Sequence, residues 1–570
     1  MISGNKKYTL LFLIIPTVFW ILIVHRYSVN VPWFDDFDPF ADFLNQWIAN
    51  EAWSQRLTLL FQPNNEHRMV FGKLITALLY SLTGTLNFSW LHYIGAAYTL
   101  GTLFIIWKIF KKSNWPIHYF LPIPFLLFQL QYYLIFHWAI CSHQHQPVVF
   151  FVTLSMYLLS TDRFKWAVLA AFCATFAMSS GIFVWLSGLV IIVFRLQWKQ
   201  AALWLAIALL SVGFYFRGME TMGNEASIEY FIRYPYLSFL GFFAFLGGLF
   251  EIYPNHAPIF QRSVTPVVFG SLVTLAILGW IMAILMAWLK KASLRKTIPQ
   301  WAGKIADNAS QKSTQTYFVL GLLAFLLANA LVIGLLRPRF GFFVMIVSNY
   351  KIYPALFLIV SYITFLIAFP QWHNKGWKAT MLIAVSIWVL SIFNYLPDIA
   401  ERRKYLLINA YNQEKHGYGL GHQPGSPAAA YVDNLMKSLV TQGVYQYPDT
   451  YQGITSLMKD AENTVANTFE FKIETTDSNI LIREMNVSYD AGYDTGLSVF
   501  FRDENNLYLF KMNPEIYTGK LPFRHFDQGF AVNVPVQALP AGSYELGVLH
   551  TIKGNLPTAE IIQKIIIPER

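Results

Sequence analysis

Long apolar runs separated by short polar breaks fill the first two thirds of this chain and stop near Leu396. Runs at 8–24, 88–107, 116–136, 147–160, 165–178, 181–195, 200–216, 264–289, 316–336, 345–369 and 377–396 predict about eleven membrane spans. Two further apolar stretches, 69–83 and 235–250, read as interfacial helices rather than spans. The first has about fifteen residues where about twenty are needed to cross. Charge supports both readings. Lys6 and Lys7 place the N-terminus on the cytoplasmic side. If neither stretch crosses, Lys108, Lys111, Lys112, Arg163, Lys165, Lys290, Lys291, Lys304 and Lys312 all fall inside.

Beyond Leu396 the pattern changes. Segments 401–413 and 428–441 carry helical spacing, and from about Thr464 apolar and polar residues alternate in FEFKIET, NILIREMNVSYD, GLSVFFRD, NLYLFKMN, FAVNVPVQ, YELGVLHTI and EIIQKIIIP. Asn-, Asp- and Gly-rich turns separate these runs, which predicts a β-sandwich of about seven or eight strands. The expected organisation is a transmembrane domain over 1–397, a helical connector over 398–460 and an extracytoplasmic sandwich over 461–570.

Composition agrees: of 570 residues 55% are hydrophobic and only 13% charged, against about 25% charged in soluble domains. The net charge of +10 does not point to nucleic acid, because the cations sit in short loops beside apolar runs, where they orient spans. Cys141 and Cys173, far apart in sequence, make neither a metal site nor a disulfide framework. His25, Arg26 and Tyr27 follow the first apolar run in place of a small-residue cleavage site, so that run reads as an uncleaved helix.

The richest chemistry lies in the loop 28–68, expected to face the exterior. Asp35, Asp36, Asp38 and Asp42 stand among Trp33, Phe34, Phe37 and Phe40, and Glu66, His67 and Arg68 close the loop. Asp38 followed by Pro39 reads as a helix start. Carboxylates held against aromatic surface near a membrane are costly unless they have work or partners. Asp35 and Asp36 are therefore the candidate catalytic residues, able to take a proton from an acceptor hydroxyl; the alternative is a plain capping cluster. Arg337, Arg339 and Lys351 fall at the same exterior level and suit a phosphate, or else snorkel to lipid headgroups. His137, His143 and His145 give a weak metal pattern. The acidic pair could bind Mg²⁺ or Mn²⁺, although the cations could replace a metal; no cofactor is required.

The order WFDDFDPF, NNEHR, MVFGKLITALLYSLTG and FIIWKIFKK over the first 110 residues or so resembles the GT-C superfamily of integral-membrane glycosyltransferases, which use polyprenyl-phosphate-linked sugars. The resemblance implies that Asp35 is the general base, that Asp36 fills the second acidic position, and that Glu66, His67 and Arg68 line the same cavity. Met69-Val70 replaces the usual Pro-Pro pair. The implied function is inverting transfer of a sugar to a glycan or lipid-linked acceptor on the extracytoplasmic face of a membrane, in a bacterium the inner one, within cell-envelope polysaccharide biosynthesis. A transporter or flippase for lipid-linked sugars and a glycan polymerase or ligase are the rival readings.

Overall fold

The structure, a computed structural model, describes residues 6–64, 67–219, 224–253, 256–292, 297–461, 469–489, 492–493, 495–518, 525–551 and 557–569. It is mostly helical, with an antiparallel sheet domain at the C-terminal end. By compactness the chain divides into two units. One comprises Met1–Arg26, Ser54–Leu74 and Leu91–Phe393; the other comprises Tyr27–Trp53, Ile75–Trp90 and Asn394–Arg570. The acidic stretch therefore groups with the C-terminal third of the chain.

In the first, helical unit and its continuation, seven helical segments among the described residues are long and apolar enough to cross a membrane by length and composition. They are Phe88–Lys111, Ile117–His137, Trp198–Phe216, Ile259–Lys291, Ser313–Leu336, Ser348–Ala368 and Pro370–His416. Eleven runs were expected; the run at 8–24 forms a 22-residue helix, Lys6–Tyr27, and the other differences are local. The runs at 165–178 and 181–195 form helices of only 12 residues each, Phe164–Thr175 and Phe183–Phe194, because the turn at Ser179–Ile182 separates them. The helix Ala139–Ser160 is long enough, but its first half carries Ser142, His143, Gln144, His145 and Gln146. The stretches read as interfacial form short helices, Val70–Thr83 and Pro235–Leu246. The latter packs closely on Ile259–Lys291: a Cβ on Gly270 would stand 2.1 Å from the carbonyl oxygen of Phe243, so only glycine fits that crossing.

The second unit is built on a sandwich of two four-stranded antiparallel sheets. Its strands are β1 (Phe471–Thr475), β2 (Asn479–Glu484), β3 (Gly496–Arg502), β4 (Leu507–Lys511), β5 (Asn513–Ile516), β6 (Phe526–Pro535), β7 (Gly542–Thr551) and β8 (Thr558–Ile567). One sheet runs β1-β2-β6-β5 and the other β4-β3-β7-β8. Pairing of Ile480 with Val534 and of Ile482 with Val532 sets one inner face, and Val499, Phe501, Leu546 and Val548 supply the other. Each such side chain contributes about 1.5–3 kcal/mol by leaving water. In β3 both Phe500 and Phe501 are fully buried, a break in alternation with a clear cause. The outer face of this sheet is covered as well, by Ile408 and Tyr411 of the helix His373–His416 and by Met458. That helix, expected as two pieces, is continuous through Pro397.

The edge of β4 is tied down rather than left open. The Asn412 amide accepts from the Leu509 N–H at 3.2 Å and donates to the Leu509 carbonyl at 2.6 Å, and the His416 ring nitrogen meets the Leu507 carbonyl at 2.9 Å. Such tethers keep an edge strand from recruiting another chain.

Candidate active site

The acidic stretch does not begin its helix at Asp38. A 3₁₀ turn, Phe34–Asp36, leads directly into a π-helical turn, Phe37–Asp42, and then into the α-helix Phe43–Ala49. Pro39 has no N–H to give, and the Phe43 N–H reaches back to the Asp38 carbonyl, which widens the turn. The side chain that secures the start is Asp36, whose carboxylate accepts the Trp33 N–H at 2.9 Å and which is 1% exposed. Asp42 accepts from the Gln46 amide at 2.6 Å and also faces Tyr431, whose hydroxyl is pushed up to about 12 by burial and by Asp42 and Asp38. Tyr431 belongs to the helix Pro427–Thr441, started by Ser426, whose hydroxyl accepts the Ala429 N–H. The acidic helix is thereby fastened to its neighbour in the same unit.

Asp35 differs from the other two. It is half-buried, and its carboxyl is raised above the usual carboxylate value by burial first and by the Asp38 charge second, while His422 pulls it the other way. His422 stacks on the ring of Phe34 and lies at a tilt beside Phe37. Phe34 adopts φ +47, uncommon for a bulky residue, and its N–H reaches the Leu420 carbonyl. Gly421, at φ +97, passes so close that a Cβ there would stand 2.9 Å from the Phe34 ring. The Gly-rich segment around His422 is thus shaped to the acidic turn.

Beside this turn, still within the second unit, is a cavity of about 450 Å³ lined by Trp33, Tyr405, His422, Gln423 and the ends of β4 to β6, among others. Underneath lies a buried ion cluster. Glu401 accepts from Lys404 at 2.6 Å and from Lys511 at 2.5 Å.

The remaining sequence-predicted residues belong to the helical unit. Glu66 lies outside the described residues. His67 pairs through its backbone with Asn64. Arg68, expected to line a substrate cavity, donates to the backbone carbonyls of Tyr215 at 2.6 Å and of Phe61 and Arg217. Lys73, 2% exposed, likewise donates to the carbonyls of Leu59 and Gln62. These cations are wired as ties that hold the loop's backbone. Arg337 and Arg339 are half-buried and both stand over the ring of Phe340, at 5.7 and 4.5 Å.

Lys351, read as a third phosphate ligand, is 1% exposed and pairs with Glu251, which also pairs with Arg262; its amine further donates to Gln131 at 3.2 Å. It belongs to a buried cluster that sequence reasoning missed, because Glu251 follows an apolar run with nothing to mark it. The histidines do not converge either. On the helix Ala139–Ser160 successive polar side chains radiate outward: Ser142 and Gln146 to the Ile135 carbonyl, His143 to the Leu91 carbonyl at 3.0 Å, His145 to the Tyr353 hydroxyl at 3.0 Å. An i, i+2 spacing turns about 200° on a helix, so the two imidazoles face apart. Among the described residues no three His, Cys, Asp or Glu side chains are grouped as a metal site.

No family model, curated protein or solved structure matches this chain.

Proposed function

We propose that the chain is an inverting membrane glycosyltransferase that moves a sugar from a polyprenyl-phosphate donor to a glycan or lipid-linked acceptor on the extracytoplasmic face, with Asp35 as general base. The observation that carries this reading is the division of labour between neighbouring carboxylates. Asp36 is buried and committed to the Trp33 N–H, whereas Asp35 is half-buried with its proton affinity raised. A base works best when its pKa approaches the working pH, and burial beside a like charge moves a carboxyl that way.

In the reaction the Asp35 carboxylate takes the acceptor hydroxyl's proton. The acceptor oxygen bonds to the anomeric carbon as the bond from that carbon to the phosphate oxygen breaks, and the lipid phosphate leaves with the electron pair. Arg337 and Arg339 are assigned the phosphate. Purified protein incubated with a radiolabelled lipid-phosphate sugar and an acceptor glycan should release free lipid phosphate, and Asp35→Asn should not.

One observation favours a second reading, transport of lipid-linked sugars: the buried Glu251–Arg262–Lys351 cluster at the ends of apolar helices, since buried ionisable groups beside apolar segments often mark a pathway. A transporter would move the labelled lipid across sealed vesicles without cleaving it.

A further inference from the structure

We propose that the cavity beside the acidic turn is a binding cleft for a neutral saccharide, formed jointly by Trp33, the helix His373–His416 and the sandwich. Its volume, about 450 Å³, lies in the range of small-molecule sites, ~300–1,000 Å³. Its walls pair flat rings with amides. Trp33 and Tyr405 meet edge to face, 5.2 Å between centroids and 73° between planes, so two ring surfaces stand nearly at right angles. Rings of this kind offer an apolar face to the C–H side of a sugar together with a polar tip for its hydroxyls.

The amides supply the remaining recognition. Asn409, Gln423, Asn513 and Asn533 all line the cleft, and each amide carries both a donor and an acceptor, as a sugar hydroxyl does. Asn409 spends its amide N–H on the Tyr405 carbonyl at 3.0 Å, which leaves its side-chain oxygen for a ligand; Asn513 accepts from Lys511 at 2.9 Å, which leaves its N–H groups. Asn412 has both ends engaged with Leu509 and serves only as wall.

The one lysine lining the cleft has its N–H groups engaged within the protein. The three N–H groups of Lys511 meet Glu401 at 2.5 Å, Asn513 at 2.9 Å and the Met512 carbonyl at 3.3 Å. A phosphate or carboxylate would find no lysine donor there, whereas an uncharged polyol suits the lining. His422 belongs to the cleft wall and stacks on Phe34, the neighbour of Asp35, so the cleft reaches the acidic turn through that ring. The ligand class follows from the lining alone; that the bound sugar is the acceptor rests on the transferase reading.

Saturation-transfer NMR on the purified full chain in detergent tests this. The probes are neutral methyl glycosides and disaccharides of common pentoses and hexoses, with glucuronic acid and glucose 6-phosphate as charged counterparts. The neutral sugars should bind, and Asn533→Ala and Tyr405→Ala, both at exposed side chains, should each weaken binding by about tenfold. Absence of transfer to every neutral sugar, preference for the charged ones, or unchanged binding in both variants would overturn the assignment. The two readings separate cleanly: saccharide binding without release of lipid phosphate leaves the cleft and removes the transferase. Turnover with an unaltered acceptor KM in both variants does the reverse.

Discussion

The rings of Phe34 and His422 stack with centroids 5.5 Å apart and planes 23° apart. This joins the acidic turn near the start of the chain to a Gly-rich segment nearly four hundred residues later. Because Phe34 immediately precedes Asp35, the stack fixes the backbone from which the candidate base projects, and it places an imidazole within electrostatic reach of that base.

The two adjacent carboxylates should respond differently to loss of charge. Asp35→Asn should lower transfer by ~10²–10⁴-fold, as expected for removal of a general base, without loss of fold. A carboxyl whose folded-state value is raised is penalised when ionised, so its stability contribution falls as pH rises through that value; the uncharged Asn should therefore slightly raise Tm at neutral pH. Asp36→Ala should lower Tm, through loss of about 1–2 kcal/mol of capping. Thermal unfolding beside an activity assay separates the two.

The pH profile offers a test with opposite signs. Activity should fall as the pH drops through the Asp35 value, because only the carboxylate accepts a proton. Asp38→Asn removes a charge that raises that value, so the acid limb should move to lower pH. His422→Ala removes an influence that lowers it, so the limb should move to higher pH. Rate–pH curves that move together, or not at all, would detach Asp35 from the chemistry.

Arg68 and the Arg337–Arg339 pair should fail in different ways. Arg68→Ala strands the carbonyls of Phe61, Tyr215 and Arg217 and should cost on the order of 3 kcal/mol. Arg68→Lys should not restore it, lacking the planar fork. Arg337→Ala and Arg339→Ala should instead raise the donor KM with little change in Tm. Thermal unfolding in detergent beside donor titrations checks both.

Glu251→Gln should destabilise the helical unit by about 3–5 kcal/mol, because it leaves Lys351 and Arg262 buried as like charges. Adding Lys351→Met should recover much of that loss. A double-mutant cycle on thermal unfolding reads the coupling directly.

The sandwich was legible in the sequence because alternation with a period of two survives in nearly every strand; only Asn513–Ile516, four residues broken by Pro514, escaped notice. The break at Ser179–Ile182 was legible too, but run length alone does not say whether the 12-residue helices on either side of it cross a membrane. Within the candidate site, Asp35 and Asp36 stood out as charges among aromatics. His422 did not, because its meaning lies in Phe34, and no local pattern links the two. Arg68 and Lys73 were hardest to read, for their partners are main-chain carbonyls, which every residue carries and no sequence advertises.

The second unit gathers Tyr27–Trp53 and Asn394–Arg570, and this imposes an order on biogenesis. The ribosome delivers Trp33, Phe34 and Phe37 long before the segments that cover them, and at ~5–20 residues per second the interval is some tens of seconds. During that time the three rings lack Tyr405 and His422, the partners they pack against. Nascent chains halted before Asn394 should therefore be sticky, protease-sensitive and dependent on chaperones, and they should lose that dependence only when translation reaches the last strand.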